Sequence, residues 1–124
     1  MQKALLALVV VLVLAGATCS KKGGTAAVEC TASNATDLTA QNPFTVTMQN
    51  FAYQPDCFTA KSSQNITIIN KDTFGHTFTI DGTEVDVTVP PGQTFNGESA
   101  GLAPGTYPFR CKIHPAMIGT VIVQ

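Results

Sequence analysis

From Phe44 onward the chain alternates hydrophobic and polar residues with a period of two. Such alternation predicts β-strands with one buried face. The clearest stretches are residues 44–48, 66–68, 78–80, 85–89 and 121–123. After the first residues, no window of helical length shows a 3.6-residue period. The pattern therefore predicts about seven short strands and an all-β domain.

Turn residues separate these stretches. Asp81-Gly82 is typical of a tight hairpin, Pro90-Pro91-Gly92 ends a strand, and Pro104-Gly105 is a turn before the next strand. Short strands at this spacing predict an antiparallel Greek-key β-sandwich or barrel.

The N-terminus has a different pattern. Residues 1–3 are a short basic start, residues 4–14 are an unbroken apolar run, and residues 15–17 are small. This order is typical of a secretory signal, and the run is too short for a comfortable membrane span. We therefore predict a signal peptide over 1–19, a small, polar linker or N-terminal segment over 20–42 that is flexible but can be ordered near Cys30, and one domain over 43–124. The protein is expected to be exported, to the periplasm or the outer face of the cell membrane.

The charge pattern argues against nucleic-acid binding. The net charge is −1, and the seven Lys and Arg residues are mostly scattered, so the sequence predicts no basic face. Separately, we expect the protein to be a monomer.

The C-terminal segment contains the chemistry. Cys111, His114 and Met117 lie within seven residues between two predicted strands. A thiolate, two imidazoles and a weak axial thioether are the ligands of blue-copper sites. The chain has two histidines, so the second imidazole would come from His76, at a predicted loop-to-strand junction.

These residues resemble those of a known family, the cupredoxins. The segment 107–121 resembles the cupredoxin ligand loop, and its spacing is that of the amicyanin type, with two residues between Cys and His and two between His and Met. Plastocyanin and pseudoazurin have a longer gap before Met. Residues 51–76 resemble the family's approach to its first histidine ligand, so the similarity spans about residues 44–124.

The resemblance implies one type 1 copper ion, held by His76 and His114 through nitrogen, by the Cys111 thiolate and by Met117 axially. It implies a one-electron carrier that exchanges electrons with a redox partner protein near the exposed edge of His114. Phe74, Pro115, Ala116 and Ile118 would form an apolar rim around His114, which is either a docking surface for a redox partner or ordinary packing at the end of the barrel.

Two positions depart from the family pattern. Cupredoxins often have Asn directly after the first histidine, where it connects the two ligand loops, and this chain has Thr77. They often have Thr or Ser after the cysteine, and this chain has Lys112. Hydrogen bonds near the thiolate tune the redox potential, so the family's potentials are not transferable.

The four cysteines raise separate questions. An oxidising compartment favours disulfides, so with Cys111 as a ligand, Cys30 and Cys57 are the natural pair. The alternative is that Cys111 pairs with Cys30 or Cys57. Cys19 is either a free thiol after cleavage or the lipidated first residue of a lipoprotein, although residues 16–18 form a poor lipoprotein cleavage site. We favour the lipid anchor as a membrane attachment.

Two other functions compete with electron transfer. A copper enzyme would need a further copper site built from histidines that the chain lacks, so we predict no enzymatic activity. A periplasmic or surface copper-binding and delivery protein uses the same ligand types. Such a protein would favour an open Met- or His-rich surface, and the chain has three Met, one of them the first residue.

Overall fold

The computed structural model of this protein describes residues 28–124. Within this range the chain forms ten strands. In chain order they are β1 (Thr36–Asp37), β2 (Phe44–Gln49), β3 (Ala52–Gln54), β4 (Cys57–Ala60), β5 (Ile66–Asn70), β6 (His76–Thr79), β7 (Asp86–Val89), β8 (Thr94–Gly97), β9 (Gly105–Arg110) and β10 (Ile118–Val123).

The strands form two sheets that enclose one core. One sheet has the order β1-β4-β10-β9-β6-β7 and the other β3-β2-β5-β8, which confirms the predicted all-β sandwich. The sheets are mixed, however, and not purely antiparallel as predicted. The pairs β1/β4, β4/β10 and β2/β5 are parallel. Between β2 and β5 the chain crosses to the other sheet, where it forms β4. A tight hairpin forces its two strands to be antiparallel, whereas a crossing connection of this kind also allows parallel pairing.

The predicted alternation holds in β2, where Phe44, Val46 and Met48 are buried and the residues between them are half-buried. Strand β6 differs, because all four of its residues are buried. Its threonines point away from the core but are covered there. The Thr77 hydroxyl accepts a hydrogen bond from the backbone N–H of Lys112 at 2.8 Å and lies within hydrogen-bonding distance of Thr79 Oγ1, at 3.0 Å.

The predicted hairpin at Asp81-Gly82 connects β6 and β7, which are antiparallel neighbours. Gly82 has a φ of 77°, a left-handed conformation that glycine adopts without steric cost. Strands β1, β3 and β8 were not predicted. Strand β1 has no apolar residue, β3 has two that are adjacent and β8 has only Phe95, so none of them shows an alternation.

The segment predicted as a linker is partly ordered. Strand β1 pairs with β4, and Leu38 is buried in the core, so the folded part begins before residue 43. Cys30 and Cys57 form a disulfide, as predicted, with a Cα–Cα distance of 5.5 Å. Cys111 is a buried free thiol, and its alternative pairing with Cys30 or Cys57 is therefore wrong.

The predicted signal peptide (1–19), Cys19 and linker residues 20–27 lie outside the described residues. Residues 28–124 contain no helix long and apolar enough to cross a membrane.

Aromatic side chains fill the core beneath the start of β6. Phe109 contacts Phe78, Tyr53 and Phe58, with ring centroids 4.6, 4.9 and 5.7 Å apart. Tyr53 also donates a 2.5 Å hydrogen bond from its hydroxyl to the backbone oxygen of Thr77. This bond joins the two sheets at the residue after His76 and fixes the position of the first predicted ligand.

Gly119 provides a second constraint near the site. A Cβ atom there would overlap the Phe109 ring and lie 2.6 Å from the backbone oxygen of Asp56. Only glycine therefore lets β10 approach its neighbours this closely directly after the predicted ligand loop.

Candidate metal centre

His76 is the first residue of β6 and is 0% exposed. Its Nε2 atom lies 2.7 Å from Oδ2 of Asp72. An ionised carboxylate only accepts hydrogen bonds, so Nε2 carries the proton and donates it to Asp72. The Nδ1 lone pair of His76 is therefore free to bind a metal, in the arrangement that carboxylates commonly give to metal-binding histidines.

The charge of Asp72 is favoured by its surroundings. Burial raises the pKa of its carboxyl, but hydrogen bonds from the Phe51 N–H, His76 and the Asn50 N–H outweigh burial and hold the pKa below its ordinary value. Asp72 is therefore ionised at neutral pH and accepts the hydrogen bond from His76 Nε2.

Asn70 holds the loop between β5 and β6 in place. Its side chain is 1% exposed, and Nδ2 donates to the backbone oxygens of Phe74, Val89 and Pro90 at 2.8, 2.9 and 3.2 Å. Its Oδ1 accepts the backbone N–H of Asp72 at 3.0 Å. The backbone that carries Asp72 is thereby tied to strand β7.

The other predicted ligands lie on the loop between β9 and β10. Two backbone hydrogen bonds close this loop, from Cys111 N to Met117 O at 3.0 Å and from Met117 N to His114 O at 2.9 Å. Cys111 and Met117 are buried, and His114 is partly exposed. The loop thus keeps both sulfur-containing side chains inside and leaves one imidazole at the surface.

Three of the four predicted ligands converge through their ligating atoms. Nδ1 of His76 and Nδ1 of His114 are 3.0 Å apart, and Sγ of Cys111 lies 3.9 and 3.8 Å from them. The point equidistant from the three atoms lies about 2.1 Å from each, close to the roughly 2.0–2.3 Å bonds that zinc makes to imidazole nitrogen and thiolate sulfur. The residues present therefore fit one metal ion. Met117 is buried at the end of the same loop.

Thr77 connects the two ligand segments in spite of its departure from the family pattern. Its backbone N–H donates to Cys111 Sγ at 3.3 Å, and its hydroxyl accepts the Lys112 N–H at 2.8 Å. Burial by itself raises the pKa of the Cys111 thiol, but hydrogen bonds from the Thr77 backbone and from the ligand loop lower it from 9.0 to about 6. Without metal, Cys111 is therefore mostly a thiolate at neutral pH, the form that binds metals.

Asp72, Asn70 and Phe51 were not singled out as functional from the sequence. Asp72 lies four residues before His76 in a loop, where sequence spacing gives no defined direction to the side chain. Phe51 lies 25 residues before His76, yet its ring is 5.6 Å from the His76 ring and 4.9 Å from the His114 ring. Only the fold brings it to the site.

An apolar surface surrounds His114. The predicted rim residues are all exposed. Residues 28–124 contain five exposed large hydrophobic side chains, and four of them lie in the β2–β3 turn or in and beside the segments that carry the predicted ligands: Phe51, Phe74, Ile113 and Ile118. Phe74 lies 6.4 Å from the His114 ring and 5.4 Å from the Phe51 ring.

A cavity of about 220 Å³ lies at the opposite end of the sandwich. It is lined mainly by apolar side chains, among them Ile80, Val85 and Val123. None of the four predicted ligands lines it, so this cavity and the metal centre are separate features.

A family model for the cupredoxin-like domain matches residues 5–123. The chain belongs to the cupredoxin-like family. No curated protein is similar enough in sequence to count as a relative.

Solved structures share the cupredoxin fold. The Cu(I) form of an amicyanin variant has a TM-score of 0.57 at 22% identity, covering 68% of this chain and 84% of the amicyanin chain. A reduced Cu(I) amicyanin variant at pH 4 has a TM-score of 0.56 at 23% identity, covering 68% and 84%. A copper-containing nitrite reductase from Thermus scotoductus has a TM-score of 0.54 at 22% identity, covering 66% of this cupredoxin-like chain but 22% of the reductase. At these identities the similarity shows the fold alone, which the amicyanin variants and the nitrite reductase share.

Proposed function

We propose that this cupredoxin-like protein is an exported one-electron carrier that holds a single type 1 copper ion through His76, Cys111, His114 and Met117. The observation that carries the proposal is the convergence of two imidazole nitrogens and one thiolate sulfur at separations that fit one ion. Copper, when bound by these ligand types, supplies a one-electron redox couple.

The protein's own residues favour a site that changes little between oxidation states. Asp72 fixes the His76 ring, and the Thr77 hydroxyl ties the ligand loop to β6. Because the ligands are held by the scaffold, little reorganisation is needed for each electron transferred. His114 is the ligand at the surface, so a redox partner would approach there, over the surrounding apolar rim.

The burial of two predicted ligands gives less support to the alternative of copper delivery. A delivery site must release its ion to a partner, whereas His76 and Cys111 are each 0% exposed. The proposal of no enzymatic activity rests on the histidine count, because both histidines of the chain belong to this one site. Export and the lipid anchor at Cys19 remain predictions from the N-terminal sequence.

The decisive experiment is the visible and EPR spectrum of the purified protein after addition of Cu(II). We expect an intense blue thiolate-to-copper band and a narrow copper hyperfine splitting, both absent in Cys111→Ser. Met117→Leu should shift the spectrum, whereas Met48→Leu, which changes another fully buried thioether, should not. A colourless copper-loaded protein would contradict the proposal.

A second measurement separates the carrier from the delivery protein. A carrier should cycle reversibly between Cu(II) and Cu(I) at an electrode and keep its ion in the presence of a Cu(I) chelator. Rapid loss of copper on reduction would instead favour delivery.

A further inference from the structure

The turn between β2 and β3 has an unusual backbone. Asn50 and Phe51 are consecutive non-glycine residues with φ angles of 53° and 56°. Residues with a side chain adopt this left-handed region rarely, and a bulky aromatic residue does so less readily than asparagine. An interaction outside the turn must therefore stabilise it.

Asp72 supplies this interaction. Its Oδ1 accepts the backbone N–H of Asn50 at 2.7 Å, and its Oδ2 accepts the backbone N–H of Phe51 at 3.0 Å. The same Oδ2 lies 2.7 Å from His76 Nε2. One carboxylate thus holds both the left-handed turn and the imidazole of a predicted ligand.

The left-handed turn directs the Phe51 ring to the imidazoles. The plane of the Phe51 ring is nearly perpendicular to both imidazole planes, at 81° to His76 and 80° to His114. Phe51 is 47% exposed while His76 is 0% exposed, so the ring lies on the solvent side of the buried histidine. A half-exposed phenylalanine in a strained backbone gains little from its own burial. Its contacts indicate a covering role.

We infer that Asp72 is a positioning residue that couples His76 to Phe51, and that the Phe51 ring is a cover that limits access of solutes to the Cys111–His76–His114 cluster. The purpose of the cover, protection of a copper ion, rests on the proposed function. The coupling itself belongs to the copper-free protein. When Asp72 is lost, the turn loses its two acceptors and the cover opens.

The first test measures access to Cys111 in the copper-free full chain, with Cys19→Ser introduced so that Cys111 is the reactive thiol. Alkylation rates by iodoacetamide are compared on the plateau of each pH profile, so that altered ionisation is not mistaken for altered access. Phe51→Gly removes the ring and suits the left-handed backbone, so the turn is retained. We expect alkylation about tenfold faster than in the parent.

The matched control is Phe74→Ala. Phe74 is also exposed (55%), but its ring lies 6.4 Å from the His114 ring, whereas the Phe51 ring lies 4.9 Å from it. We expect its alkylation rate to stay within about twofold of the parent. Equal alkylation rates in Phe51→Gly and the parent would show that Phe51 does not cover the cluster. Equal acceleration in Phe51→Gly and Phe74→Ala would likewise overturn the covering role of Phe51.

The second test reads the coupling through Asp72. Asp72→Ala should accelerate alkylation like Phe51→Gly, and the double variant should be no faster than the faster single variant, because both open the same cover. If Asp72→Ala does not fold, Asp72→Asn gives the same comparison, since the amide keeps one acceptor oxygen and loses the other.

Nitrogen NMR of the copper-free protein then separates positioning from general destabilisation. The parent and Phe51→Gly should both carry the His76 proton on Nε2, whereas the Asp72 variant should show a mixture of tautomers. An unchanged tautomer in the Asp72 variant would overturn its positioning role. Because every measurement is made without copper, a colourless copper-loaded protein would refute the proposed function and leave this inference standing.

Discussion

The two histidines of the candidate metal centre are held in opposite ways. His76 is 0% exposed, and its Nε2 is bonded to Asp72, whose loop is fixed by Asn70. His114 is partly exposed on a loop of exposed neighbours that is closed by two backbone hydrogen bonds.

The contrast indicates a division of labour. The His76 segment, residues 70–77, sets the position of one predicted ligand through a buried polar network. The ligand loop, residues 111–117, presents the other predicted imidazole ligand at the surface. Under the proposed function, the rigid buried half would limit rearrangement and the exposed half would shorten the path to a redox partner.

The largest expected effect comes from removing each histidine, which tests the contrast between the enclosed His76 and the partly exposed His114. His76→Gly and His114→Gly should both abolish the blue band of the copper-loaded protein. Added imidazole should restore the band in His114→Gly, because that position opens to solvent, and should not restore it in His76→Gly, whose position is enclosed. Visible absorbance during an imidazole titration measures both. Equal rescue of the two variants would show that His76 is not sequestered.

The next effect concerns the thiolate, which receives hydrogen bonds from both segments. In the copper-free protein the pKa of Cys111 is lowered from 9.0 to about 6. A lowered folded-state pKa means that the thiolate stabilises the fold. This contribution is complete above about pH 9 and is lost as the pH falls through about 6.

Ultraviolet absorbance of the thiolate and urea unfolding at several pH values measure this effect, on the Cys19→Ser background. Cys111→Ser should lack the corresponding pH dependence of the free energy of unfolding. An apparent pKa near 9.0 in the folded protein would contradict the hydrogen bonding described for Cys111.

A smaller effect tests the network behind His76. Asn70→Ala removes the hydrogen bonds that Nδ2 donates to the backbone oxygens of Phe74, Val89 and Pro90, of which the bond to Val89 is buried, so we expect a loss of roughly 2–4 kcal/mol in the free energy of unfolding. The control Asn96→Ala, on the exposed side of β8, should cost less than about 0.5 kcal/mol. Urea unfolding of the copper-free proteins compares them. Equal costs would mean that Asn70 does not hold the His76 segment.

The smallest effect sharpens the connection between the two segments. Thr77→Val keeps the shape of the side chain but leaves the Lys112 N–H without its acceptor, so we expect a loss of about 1–2 kcal/mol in the free energy of unfolding. Thr77→Ser retains the hydroxyl and should restore most of this loss. A valine variant as stable as the serine variant would show that the hydroxyl does not connect the segments.

The ligand loop was predictable because its information is local. Cys111, His114 and Met117 lie within seven residues, and the flanking strands follow a period that fixes which side chains face inward. The buried positions of β2 were predicted correctly for the same reason. The direction of strand pairing was predicted wrongly for pairs such as β2/β5. These two strands are parallel, and between them the chain crosses to the other sheet, where it forms β4.

The sequence by itself determined the all-β class, the inward faces of the main strands and the candidate ligands, since each depends on residue type and short spacing. Only the tertiary structure decided that Asp72 bonds His76, that Thr77 connects the segments and that Phe51 covers both imidazoles. These contacts join residues up to 63 positions apart, such as Phe51 and His114. Loop side chains have no fixed periodicity, so their directions are set by the packing of two sheets and not by local pattern.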